Sequence, residues 1–313
     1  MIYTCTLNPS IDYIMHVDQV HLGRLNRADK TLYYPGGKGI NVSRVMARLS
    51  VKNTALGYLG KFTGKFITDF LDQEDVQHKF VDTGQYTRIN VKLKDDQESE
   101  INGPGPDIDP QQLDELLWQF KKMKTNDILI LAGSVPSSLP EDFYSQVSEI
   151  CETNGVLLAA DTSGEALKQL VGKSLFLLKP NDDELGTLFN TTIETKEQAA
   201  YYAHKLIHQG TKHVIVSMGG EGAVYVNEEE QMHATVPQGN VKNSVGAGDS
   251  VVAGFISALS LNKDMKEAFR YGVAAGSATA FQDDLCHQSD VENLVNQITI
   301  TPLLKEGNTN EDY

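Results

Sequence analysis

Residues 128–160 read ILILAGSVPSSLPEDFYSQVSEICETNGVLLAA. Ile128 to Ala132 form an unbroken apolar run, as do Val156 to Ala160 at the other end, and between them Asp142 to Cys151 carries its apolar residues at helical spacing. A strand apolar on both faces must be covered on both faces, and two such strands joined through a helix make the crossover unit of a parallel sheet. The pattern extends in both directions. Ile2 to Leu7, Leu175 to Leu178 and His213 to Ser217 are further strand-type runs, and Ile40 to Leu49, Phe66 to Leu71, Gln111 to Met123 and Lys196 to Gln209 are further helical segments. This alternation predicts an α/β fold, doubly wound, with a mostly parallel sheet between helices and a ligand site at the carboxyl ends of the strands.

Two stretches, about 12–35 and 86–103, break the alternation. They hold strand-like pieces (Tyr13 to Val17, Thr31 to Tyr34, Arg88 to Lys94, Ser99 to Asn102) that carry charge and have no helix between them. They predict a small antiparallel sheet standing off the main domain, as a lid, a dimer surface or a plain β-insertion. The expected organisation is a single domain over residues 1–304 with a discontinuous lid, followed by a polar, acidic tail at 305–313 expected to be disordered.

At 313 residues and 40% hydrophobic composition the chain can bury a large core. Its formal net charge of −15 repels nucleic acid and anionic membrane surfaces, so neither is an expected partner. Any phosphate site must then be built from a few placed cations and backbone N–H groups. Cys5, Cys151 and Cys286 are odd in number and scattered, which gives no disulfide framework and no metal pair and predicts a reducing compartment. With no basic leader and no apolar run of roughly 18 residues, the expectation is a soluble, cytoplasmic protein.

The strongest chemical signal is Asn243-Ser-Val-Gly-Ala-Gly-Asp249-Ser250, which opens the apolar helical stretch Val251 to Leu259. Glycines permit a tight turn, and the first amides of a helix lack intrahelical acceptors, so this turn can cradle phosphoryl charge. Asp249 would lie in the first turn, either to take a proton from an attacking hydroxyl or merely to complement the helix dipole. Upstream, in Leu178-Lys-Pro-Asn181-Asp-Asp-Glu184, the oxygens of Asn181 and Glu184 suit the water shell of a Mg²⁺ ion on nucleotide phosphates, or a helix cap. The run Val214-Ile-Val-Ser-Met-Gly-Gly-Glu-Gly222 leads a strand into glycines, as a turn approaching a nucleotide would, or an ordinary hairpin. Near the N-terminus, Gly36, Gly37 and Asn41 of GGKGIN, with Asp12, suit sugar hydroxyls, and Lys38 suits a substrate phosphate; capping and an Asx turn account for the same residues. Arg27 and Arg88, both in the expected lid, offer guanidinium forks for phosphate oxygens.

Other nucleotide-site patterns are missing. Gly60-Lys61 and Gly64-Lys65 are each followed by Phe, so no GxxxxGK[ST] loop exists, and the HRD and DFG elements of protein kinases are absent. A dehydrogenase would need GxGxxG after the first strand, where this chain has Asn-Pro-Ser-Ile-Asp. A catalytically silent sugar-phosphate sensor would not need Asp249, Asn181 and Glu184 together.

Read in order, GGKGINVSR (Gly36 to Arg44), Lys179-Pro-Asn181 to Glu184, VSMGGEG and VGAGDS (Val245 to Ser250) resemble the ribokinase-like, or PfkB, family of carbohydrate kinases, over the chain to about residue 300. The resemblance implies a three-layer α/β/α fold with a β-lid that closes over the sugar and often forms a dimer. It implies ATP and Mg²⁺, with Asp249 as catalytic base, Gly246, Ala247 and Gly248 as anion hole, and Asn181 with Glu184 holding the metal through water. It places Lys179, Ser217, Gly219 and Gly222 on ATP, Ala275 and Thr279 over the adenine, and Asp12, Gly37 and Asn41 on the sugar. TLNPSIDY, Lys38, Thr87-Arg88-Ile89-Asn90 and Ile101-Asn-Gly-Pro-Gly-Pro106 are similar to the branch acting on phosphorylated ketohexoses, which, with Ala132-Gly-Ser134, adds Asn90 and Ser134 to the substrate residues. The implied reaction is ATP-dependent phosphorylation of the 6-hydroxyl of fructose 1-phosphate, with tagatose 6-phosphate the near alternative acceptor and fructose 6-phosphate a further one. Lys61 departs from the family pattern, at a turn that carries no chemistry.

Overall fold

The computed structural model describes residues 1–96 and 98–303, so the expected tail at 305–313 lies outside the described residues. Its contacts group the chain into two compact units, Met1–Leu157 and a second beginning at Leu158.

The first unit runs β1 (Ile2–Thr6), β2 (Ser10–His16), β3 (Lys30–Gly36), α1 (Lys38–Arg48), β4 (Thr54–Leu59), α2 (Lys61–Gln73), β5 (Gln77–Asp82), β6 (Arg88–Lys94), β7 (Glu98–Asn102), α3 (Pro110–Lys121), β8 (Ile128–Ala132) and α4 (Phe143–Asn154). Strands β8, β1, β4 and β5 lie side by side in that order, all parallel. Two of them, β4 and β5, are absent from the sequence reading. β4 reads TALGYL, whose Thr and Gly disguise a strand buried at every position; its Gly57, at φ 133°, passes the Thr6 carbonyl so closely that a Cβ has no room. β5 (QHKFVD) is polar because it is the edge of the row. Local chemistry fixes the helix ends: Asp109 caps α3 reciprocally with Gln112, with Pro110 at the first position, and left-handed Gly155 stops α4.

The remaining strands form the expected small sheet, in the order β3-β2-β6-β7. It is mixed rather than antiparallel: β2 pairs antiparallel with β3 and β6 with β7, but the central pair β2–β6 is parallel. The reason lies in the main strands. β2 and β6 leave the carboxyl ends of β1 and β5, which point the same way, and so enter the lid in the same direction.

The second unit comprises β9 (Leu157–Asp161), α5 (Gly164–Leu170), β10 (Leu175–Leu178), α6 (Asp182–Phe189), α7 (Lys196–His208), β11 (Thr211–Ser217), β12 (Ala223–Val226), β13 (Gln231–Ala234), α8 (Ala247–Ser260), α9 (Met265–Ala280), α10 (Gln288–Val295) and β14 (Ile300–Pro302). β9, β10 and β11 are parallel, and β12, β13 and β14 continue the row antiparallel. α8 is apolar nearly all round and buried from Asp249 to Ala258. It crosses α9 backbone to backbone: a Cβ on Gly254 would lie 3.0 Å from Gly272 Cα, and one on Gly272 would lie 2.9 Å from the Val251 carbonyl. The fold class is thus α/β, with mostly parallel main strands covered by helices and a small separate sheet. Among the described residues no helix is long and apolar enough to cross a membrane.

Candidate functional site

In the first unit the expected substrate residues gather where the lid strands meet the start of α1. The β2–β6 register sets Asp12 opposite Asn90 and Ser10 opposite Arg88. Asp12 Oδ1 accepts from Ser10 Oγ (2.8 Å) and from Asn90 Nδ2 (3.2 Å). Its carboxylate rests against Gly36, where any side chain would collide with it. Gly37, at φ 116°, turns the chain into α1, which places Lys38 and Asn41 in that helix's first turn. A Cβ on Gly133, in the turn after β8, would stand 3.7 Å from Lys38 N and Cβ, which brings exposed Ser134 near Lys38. The structure thus joins Asp12, Gly36, Gly37, Lys38, Asn41, Asn90 and Ser134; Arg27 is exposed on the β2–β3 connection.

Arg88 is half-buried, and burial lowers its guanidinium pKa, an effect opposed by the nearby Asp12 charge. Its Nη1 donates to the Gly103 carbonyl at 3.5 Å, while Nε is buried with no hydrogen-bond partner, as is Asn90 Oδ1. Buried orphans of both kinds, a donor and an acceptor, fit a ligand that carries an anion and hydroxyls. Sequence reasoning missed Lys92. Its ammonium is nearly buried, 3.2 Å from Glu100 and 3.9 Å from Asp12. The signal was present: Arg88, Asn90 and Lys92 alternate on one face of β6.

In the second unit Lys179, Asn181 and Ser217, expected on the nucleotide, gather at the carboxyl ends of three strands. Lys179 N donates to the Ala160 carbonyl (3.0 Å) and Ser217 N to the Pro180 carbonyl (3.2 Å), which aligns the exits of β9, β10 and β11. Asn181 and Ser217 bridge as neighbours. Gly219 is open on one side, while Gly222, at φ 95°, is pressed against the Ala234 carbonyl. Asn181 and Glu184 form a reciprocal capping box on α6: Asn181 Oδ1 accepts from Glu184 N (2.6 Å) and Glu184 Oε2 from Asn181 N (2.9 Å). Asn181 is therefore the cap of the helix and not on its face. The box fixes the orientation of both side chains and uses one carboxylate oxygen of Glu184.

The glycine turn precedes α8 as anticipated. Gly246 is left-handed (φ 80°) at the helix cap, and Asp249 lies in the first turn, 4% exposed. Of the expected anion-hole amides, that of Ala247 donates to the Ser244 carbonyl (3.2 Å). The charge at this turn comes from a residue the notion of a helix start does not supply: Lys179 Nζ lies 3.2 Å from where a Cβ on Gly248 would stand. Lys179 is itself held by Asp161, at 3.2 Å, with side chains 5% and 1% exposed. Sequence reasoning missed Asp161, which ends β9 as an acid in an apolar run. Ala275 is fully buried on α9, and Thr279 is 1% exposed and bonded to Ser250 Oγ at 2.7 Å.

The first unit therefore gathers Asp12, Asn90, Arg88 and Lys92 on neighbouring lid strands, and the second sets an ammonium and a buried carboxylate at one glycine turn. The chain matches the model of the pfkB family carbohydrate kinases over residues 6–290. It is 48% identical over 303 residues to the 1-phosphofructokinase of Bacillus subtilis (strain 168), covering 97% of this chain and 100% of that one. To the D-tagatose-1-phosphate kinase of Bacillus licheniformis it is 34% identical over 304 residues, covering 97% and 100%. Among solved structures, phosphofructokinase-2 from Escherichia coli in complex with fructose-6-phosphate aligns with a TM-score of 0.88 at 30% identity, covering 94% of this chain and 98% of that one.

Proposed function

This chain belongs to the pfkB family of carbohydrate kinases and is a sugar-phosphate kinase, and we propose that it uses ATP to phosphorylate the 6-hydroxyl of fructose 1-phosphate, giving fructose 1,6-bisphosphate and ADP. The observation that carries the mechanism is the placing of one buried carboxylate, Asp249, and one buried ammonium, Lys179, at the same glycine turn. Transfer to a hydroxyl through a loose transition state demands positioning and charge neutralisation more than covalent chemistry. In this reading the γ-phosphoryl group rests on the α8 start at Gly246, Ala247 and Gly248, and Lys179 offsets the negative charge on the phosphates, including that which builds on the departing ADP oxygen. Asp249 takes the proton of the 6-hydroxyl as that group becomes acidic. Ser217, Gly219 and Gly222 border the nucleotide.

Hard oxygen donors suit Mg²⁺, and Asn181 with Glu184, already oriented by their capping box, would hold it through water. The ion would neutralise charge on the nucleotide phosphates.

Asp12, Gly36, Gly37, Asn41, Asn90 and Ser134 take the sugar hydroxyls, and Arg88, Lys38 and Arg27 the 1-phosphate. The two units act as one kinase domain. Exposed Leu22, Leu25, Tyr33, Ile89 and Ile101 on and around the lid sheet support a homodimer through that sheet. Three buried cysteines with no disulfide support a reducing, cytoplasmic setting.

The test is catalytic efficiency on fructose 1-phosphate, D-tagatose 1-phosphate, tagatose 6-phosphate and fructose 6-phosphate with purified protein. Fructose 1-phosphate should be preferred. The relative named for D-tagatose 1-phosphate makes that sugar the second reading, and a preference for it or for either 6-phosphate would overturn the substrate assignment.

A further inference from the structure

Two motifs distant in sequence, TLNPSIDY and NGPGP, meet in the first unit, and the proposed reaction leaves their contact without a role. Asn8 lies between β1 and β2, and its carboxamide Oδ1 is buried with no hydrogen-bond partner. Gly105 rests against that carboxamide: a Cβ there would collide with Asn8 Oδ1 and stand 2.9 Å from Cγ and 3.0 Å from Nδ2. Two residues earlier in the same loop, Gly103 is tied to β6 at both ends of its peptide. Its N–H donates to the Ile89 carbonyl (3.2 Å), and its carbonyl accepts from Arg88 Nη1 (3.5 Å). A continuous path therefore runs from Asn8 through Gly105 and Gly103 to the Arg88 guanidinium.

We propose that Asn8 is a positioning residue for sugar-phosphate recognition: its carboxamide is the seat of the Gly103–Gly105 loop, and the height of that loop sets where Arg88 presents its guanidinium. The proposal rests on the assignment of Arg88 to the substrate phosphate. It explains why residue 105 is a glycine although its φ is not positive: the constraint is the carboxamide beneath it, not the backbone. An alanine at 105 is compatible with the backbone but must lift the loop.

The test is steady-state kinetics on the full-length protein with fructose 1-phosphate and ATP. Asn8→Ala should raise KM for the sugar phosphate by roughly tenfold, the scale of one lost polar contact, with KM for ATP and the melting temperature nearly unchanged. Gly105→Ala should do the same, and the double variant Asn8→Ala/Gly105→Ala should be no worse than Asn8→Ala alone, because the colliding atoms are gone. In the Arg88→Ala background, Asn8→Ala should add little, since residues acting through one another are not additive. Additive effects of Asn8→Ala and Arg88→Ala, equal effects on both KM values, or no effect of Asn8→Ala would each overturn the proposal. Wild-type protein that fails to phosphorylate fructose 1-phosphate would sink the substrate reading and this inference with it, whereas an active wild type with a silent Asn8→Ala sinks the inference alone.

Discussion

Replacing Asp161 by Asn tests whether the charge at the glycine turn is held in place by its buried partner. The carboxylate of Asp161 and the ammonium of Lys179 lie 3.2 Å apart, and their side chains are 1% and 5% exposed. Asparagine keeps the volume and removes the charge, which leaves an ammonium uncompensated by its buried neighbour. Breaking a buried pair from one side costs about 3–5 kcal/mol. At about 2–4 °C per kcal/mol, the melting temperature should fall on the order of 10 °C. Differential scanning calorimetry gives the direct measure. The double variant Asp161→Asn/Lys179→Met removes the stranded charge and should recover most of the lost stability, because replacing a buried pair by apolar groups is often neutral. It should not recover turnover, since the ammonium at Gly248 is gone. The reasoning fails if Asp161→Asn melts within about 2 °C of wild type, less than a single kcal/mol would shift it, or if the double variant is less stable than the single one.

Asp249→Asn should lower turnover by roughly 10²–10⁴-fold with the sugar-phosphate KM little changed; unaltered turnover in a coupled ADP assay would rule out the base. Arg88→Ala forfeits a charged hydrogen bond of about 1.5–3 kcal/mol, so KM for fructose 1-phosphate should rise roughly 10- to 150-fold while KM for ATP stays put, and an equal rise in both would count against a phosphate clamp. Glu74 holds the buried Arg44 at 2.9 Å and also Arg48 at 2.6 Å, so Glu74→Gln should destabilise the first unit by about 3 kcal/mol or more, read from urea midpoints; a midpoint equal to wild type would show the pair to be dispensable. Burial holds the His213 imidazole down to about 4 against an ordinary 6.5. Between those values the unfolded chain binds a proton that the folded chain does not, so stability falls as pH drops through that window. His213→Phe, which keeps a ring among Phe176, Tyr225 and Phe255 but loses the 2.8 Å hydrogen bond to Tyr225 Oη, should flatten this part of the urea-midpoint profile, and a wild-type slope would exclude His213 as its source.

Much of the candidate site was legible because it is local. The Gly246 turn and Asp249 lie within one helix start, and so do Gly37, Lys38 and Asn41. Asn181 and Glu184 are three residues apart, close enough that spacing alone offered both a metal role and a cap; the structure displays the cap. Helical spacing does not say which neighbour a small residue faces, and here Ala275 packs on Gly254 and Thr279 on Ser250 of α8. Lys92 and Asp161 went unnoticed because their partners come from other strands.

Hydrophobic period acts over a few residues, and the sequence alone therefore determined the α/β alternation and the lid strands. Tertiary structure decided everything that depends on which strands lie side by side. β1 sits between β8 and β4, and β2 runs parallel to β6, an order no local rule encodes. That order brings Asn90 to Asp12 across 78 residues, because a side chain's partner across a sheet is set by register and not by distance along the chain, and it sets the strand exits at which Asp161 meets Lys179 and Gly105 meets Asn8.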